Sequence, residues 1–91
     1  MERMLTNATM IENFVFDVKH SIGKKYGTDT MEREIYPLTW YIYTGRASTL
    51  FLKKLLVQKP YVIGNILHKG RSVEEVLKRI KKKIGYKETV I

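Results

Sequence analysis

The chain has no cysteine, which rules out disulfides and thiolate-bound metals and leaves no thiol from which to infer a redox compartment. Histidine occurs only twice, at His20 and His68, far apart in sequence. Proline is equally scarce, at Pro37 and Pro60, and there is no glycine-rich phosphate loop. No apolar run approaches the roughly 18–20 residues needed to span a bilayer, because Lys53 and Lys54 interrupt the longest one. The opening Met-Glu-Arg-Met lacks the basic-then-apolar pattern of a secretion signal, so a cytoplasmic location is expected by default. Asn and Gln are sparse, a composition that suits a thermophile.

Groups that could carry catalysis are similarly thin. Asp17 and His20 stand three apart on one helical face, a spacing more typical of a surface contact than of a catalytic dyad. Glu32 and Glu34 flank Arg33 without a third ligand at metal-binding spacing. The expectation is a protein that is not an enzyme and that needs neither cofactor nor metal.

What is present is a mixture of apolar and basic residues. The 91 residues, 44% hydrophobic with ten aromatics, are too apolar to be intrinsically disordered. They suit one domain spanning residues 1–91, small enough that a homodimer is a reasonable expectation. The net charge of +8 is unevenly placed. Residues 1–45 hold five Lys/Arg against six Asp/Glu, and residues 46–91 hold twelve against three, so the halves carry −1 and +9. Such asymmetry favours a polyanionic partner for the second half, with nucleic acid ahead of an anionic membrane surface. Lysine retained for solubility is the plainer alternative.

The most legible segment is 71–85. Ser72 followed by Glu75 has the spacing of a capping box, and Gly85 stands where a helix closes in a left-handed turn. Val73, Val76, Leu77, Ile80 and Ile84 form one narrow apolar stripe. Lys78, Arg79, Lys81, Lys82 and Lys83 cover the rest, and only Glu74 and Glu75 are placed to answer Lys78 and Arg79.

Upstream, Thr9 and Glu12 have capping-box spacing, and Ile11, Phe14, Val15, Val18 and Ile22 line one helix face that leaves Phe16 pointing away. Residues 24–29 read as a loop. Asp29 and Glu32 suit a short helix that fails before Pro37. Residues 35–45 carry two competing periods. The β-branched and aromatic content of 39–44 fits a strand, whose one partner would be the tail 87–91 in a short β-hairpin. Leu38, Ile42, Thr49, Leu52 and Leu56 instead fit a helix with Pro37 in its first turn, and this is the favoured reading. Residues 47–58 are apolar nearly all round, as a central helix would be. Pro60 then opens a helix through Val62, Ile63, Ile66 and Leu67 that ends at Gly70. The fold class expected is mainly α, a bundle of four or five short helices.

Residues 60–69, the turn 70–72 and the basic helix together resemble a helix-turn-helix in layout. In detail, Ile66 stands where that motif usually has a small residue, and Arg79 where an apolar one would seal the pair. The function this suggests is a small basic nucleic-acid-binding regulatory or accessory protein, with DNA ahead of RNA. Its contacts to phosphate would come from Arg71, Ser72, Lys78, Arg79, Lys81, Lys82 and Lys83, with Lys53 and Lys54 nearby. Lysine lacks the forked geometry that reads base edges, so binding should be phosphate-led and steeply salt-dependent. A solvated outer face accounts for the same lysines equally well.

The aromatic group Tyr36, Trp40, Tyr41 and Tyr43, flanked by Arg33 and Arg46, offers three readings: a stacking platform for bases, an anchor for a protein partner, or core. The alternative function is therefore a protein-interaction module, a small inhibitor or assembly adaptor anchored by 36–43 and steered by its lysines toward an acidic partner.

Overall fold

In a computed structural model, which describes residues 8–70 and 72–87, the expected stripe of the first helix becomes the centre of the fold. Helix α1 (Ala8–Tyr26) buries Phe14, Val15, Val18 and Ile22 and packs against three of the other four helices. Ile11 is partly buried on the same face, and Phe16 stands exposed on the other. Thr9 lies inside the helix, so it does not cap it. Residues 24–26 extend α1, and the expected loop shrinks to Gly27, whose φ of 101° lets the chain turn directly into α2 (Thr28–Tyr43). Asp29 sits in the first turn of α2, where its charge suits the helix dipole, and Glu32 bonds Lys19 of α1 at 2.6 Å.

Pro37 does not stop this helix. An interior proline removes the amide that would reach the Arg33 carbonyl and costs about 3 kcal/mol or more. Continuing past it, however, buries Leu38 and Tyr41 and half-buries Ile42. At roughly 1.5–3 kcal/mol for each large apolar side chain, that burial outweighs the broken bond. The same packing overturns the β-hairpin: residues 39–43 are helical, and among the described residues there is no strand. Residues 88–91 of the proposed partner strand lie outside the described residues.

Helix α3 (Thr49–Leu56) is capped by Ser48, whose Oγ accepts the Phe51 amide at 3.1 Å. It is not a central helix. Two turns are too short to be enclosed: Phe51 and Leu55 are buried, and Leu52 and Leu56 pack partly against the core. Leu50 and Val57 face outward, Val57 with 75% of its surface exposed. Phe51 is the joint between elements: its ring meets Tyr41 of α2 and Tyr86 edge-on, at centroid distances of 5.0 and 5.5 Å.

Helix α4 (Pro60–Lys69) lies close on α1 at Gly64, where an added Cβ would stand 3.3 Å from Ile22. Gly70 ends α4 as expected but with φ −75°, so no left-handed turn is involved. Its role is space: a Cβ there would collide with the side chain of Val76 of α5 (Val73–Ile84). Ser72 caps α5 by accepting the Glu75 amide at 3.1 Å, and Gly85 closes it with φ 74°. Only half of the capping box forms, because the Glu75 carboxylate turns to Arg79 instead. All five helices contribute to one apolar core.

Candidate nucleic-acid interface

Helix α5 presents the cations unequally. Val76, Leu77, Ile80 and Ile84 hold it to the core, which leaves Lys78, Lys82 and Lys83 exposed. Arg79 is exposed too, but it donates to Glu75 Oε2 at 2.6 Å, an i,i+4 pair. No ion pair joins Glu74 to Lys78 among the described residues. Lys81 is half-buried, with its ammonium 5.0 Å from the centre of the Tyr41 ring. Arg71 lies outside the described residues. Ser72 accepts the Glu75 amide as the helix cap, and Glu74 and Glu75 in the first turn oppose an anion at that helix start.

The cations of α3 divide in a similar way. Lys53 is exposed on the outward face beside Leu50 and Val57, whereas Lys54 is half-buried. Helix α3 packs against α5, which brings these lysines to an element bordering the basic helix. From Ile35 to Val73 the chain contains no Asp or Glu, while it contains Arg46, Lys53, Lys54, Lys59, Lys69 and Arg71. The positive character of α3 and α4 is therefore set by the absence of acids as much as by lysine count.

The aromatic segment separates into core and surface. Tyr41 is 6% exposed and belongs to the core, because it follows Leu38 at helical spacing on the face that meets α5. Its assignment to an interface or stacking group is thus overturned. Tyr36 and Tyr43 are 53% and 59% exposed, and Trp40, which lies between them along α2, is half-buried and packs against the core. The guanidinium of Arg46 stands 5.0 Å over the Trp40 ring. Arg33, one turn before Tyr36, is exposed and bonds its neighbour Glu34 at 3.3 Å.

A cavity of about 300 Å³ opens between α2 and the α4–α5 turn, with Leu67, Val73 and Val76 in its wall and Arg33, Glu34, Tyr36 and Ser72 around it. Its one close charge pair is internally neutralised, so it offers no strong preference for either sign of ligand. His68 stacks on Tyr26 at 3.5 Å between centroids and leaves its Nδ1 buried without a partner. His20 faces Phe16, with ring centroids 6.3 Å apart, and no hydrogen bond joins it to Asp17. Among the described residues no group of three or more His, Asp or Glu side chains converges to hold a metal ion. None of the described helices is long and apolar enough to cross a membrane.

Sequence reasoning did not foresee that Arg46 would fold back over Trp40. The two are six residues apart across the Gly45 turn, beyond the reach of any helical spacing rule. Comparison of the chain with protein-family models, with curated proteins and with solved structures found no match to any of them.

Proposed function

We propose that the protein is a small nucleic-acid-binding regulatory or accessory factor that holds phosphates through Lys78, Lys82 and Lys83, with Lys53 on the neighbouring helix. One observation carries the reading: these lysines are exposed, and no carboxylate pairs with them among the described residues. A compact ammonium on a flexible stem suits a phosphate and not a base edge. Binding is therefore sequence-tolerant, and each neutralised phosphate of a duplex adds about 0.9 to the negative log–log salt slope.

The test is a titration of labelled duplex and single-stranded oligonucleotides at two salt concentrations, with K53Q/K78Q/K82Q/K83Q beside the wild type. Loss of affinity and a shallower salt slope in the variant support the reading. Equal binding by both proteins, or binding by neither at low salt, removes it. Light scattering on the same samples measures the homodimer expected from the chain's size.

A second reading is a protein-interaction module, favoured by the exposure of Tyr36 and Tyr43. It requires a protein complex that survives high salt, where a phosphate-led contact is screened away.

A further inference from the structure

We infer that the outward face of α2 is a stacking platform for unpaired bases, so that the nucleic acid held by this protein is single-stranded. This rests on the nucleic-acid reading above and narrows it to a substrate class. The platform consists of Tyr36 and Tyr43 with Trp40 between them, at positions i, i+4 and i+7 of one helix. At 1.5 Å per residue, their Cα atoms span about 10.5 Å along the axis, room for two or three bases laid against successive rings.

Three observations favour a nucleic acid as the occupant of this face. The two tyrosines sit away from the buried stripe of Ile35, Leu38 and Tyr41, so the core does not require their rings. A cation stands at the platform: the Arg46 guanidinium lies over Trp40, while Arg33, one turn before Tyr36, is paired with Glu34. A guanidinium beside an aromatic can stack on a base and meet its phosphate at once. No acid lies between Ile35 and Val73, so nothing along those 39 residues repels a polyanion. Duplex bases are already stacked on one another and cannot use such a face.

Trp40 is the chain's one tryptophan, so its fluorescence reports this site alone. The protein is titrated with a thymidine homopolymer, a uridine homopolymer of equal length and a mixed-sequence duplex, at one fixed salt concentration. The same titrations are repeated with Tyr36→Leu/Tyr43→Leu. Leucine keeps the apolar area and the helix but removes the π face, and circular dichroism checks that the exposed sites tolerate it. The single strands are expected to quench Trp40 and the duplex to leave it unchanged. The double variant is expected to bind single strands at least about tenfold more weakly, with duplex affinity and salt slope unaltered. Single-strand affinity unchanged in the variant, or equal quenching by the duplex, overturns the platform while the phosphate reading stands. A change of oligomeric mass in the variant, with oligonucleotide binding intact, assigns the face to a second copy of the chain and overturns it too. Binding of no oligonucleotide by either protein overturns both readings.

Discussion

The ammonium of Lys81 lies 5.0 Å from the centre of the Tyr41 ring, so one member of the basic cluster and one member of the aromatic cluster are engaged with each other. That contact defines what each surface has left. On α5, Lys78, Lys82 and Lys83 stay exposed, and on α2 the exposed rings are Tyr36 and Tyr43.

Tyr41 and Tyr43 should therefore respond oppositely to the same change. Tyr41→Leu removes a buried ring that meets Phe51 edge-on and is expected to lower stability by roughly 1–3 kcal/mol. Tyr43→Leu alters an exposed side chain and is expected to stay within about 0.5 kcal/mol. Denaturant titration of the two variants checks the ordering, and equal losses would contradict the burial described.

Gly70→Ala is expected to destabilise by roughly 1–3 kcal/mol through overpacking, because its Cβ would collide with Val76. Backbone strain is not the cause, since φ is −75°. The double variant Gly70→Ala/Val76→Ala should lose less than the sum of the two single losses, as expected for residues in direct contact. Strict additivity in a thermal or denaturant melt would argue against the collision.

Ser72 and Glu75 begin the same helix but should differ in effect. Ser72→Ala removes the cap hydrogen bond and is expected to cost about 1 kcal/mol. Glu75→Gln breaks an exposed i,i+4 pair worth only about 0.3–0.5 kcal/mol and releases Arg79 toward solvent. Oligonucleotide affinity at low salt should then rise, and the salt slope steepen by at most about 0.9. A measured fall in affinity would mean that Arg79 is not oriented toward the nucleic acid.

The lysines of α5 can be removed one at a time. Each of Lys78→Gln, Lys82→Gln and Lys83→Gln is expected to reduce the salt slope on duplex by up to about 0.9 and to change melting little, since all three side chains are exposed. A variant that leaves the slope untouched identifies a lysine outside the phosphate track.

Helix α5 is legible in the residues alone because its signals are local. Its cap lies three residues from the amide it satisfies, its stripe repeats within one turn, and its terminal glycine adopts the turn just beyond. The same holds for the stripe of α1. Tyr41 is recoverable in part: Ile35, Leu38 and Tyr41 follow helical spacing, but the β-branched and aromatic composition of 39–44 obscures that period. The outward turn of Leu50 and Val57 leaves no such trace, because apolar residues ring the whole segment and nothing in the segment itself says which side another helix will cover.

By itself, then, the sequence determined the helical character, several of the helix ends and the concentration of positive charge in the second half, since each follows from residues at most a few positions apart or from a simple count. Tertiary structure alone decided that α2 continues through Pro37, that Arg46 covers Trp40 and Lys81 covers Tyr41, and that α3 shows aliphatic side chains to solvent. Each of those outcomes depends on burial or contact that no helical spacing rule encodes, and that free energy exists only once the chain has packed.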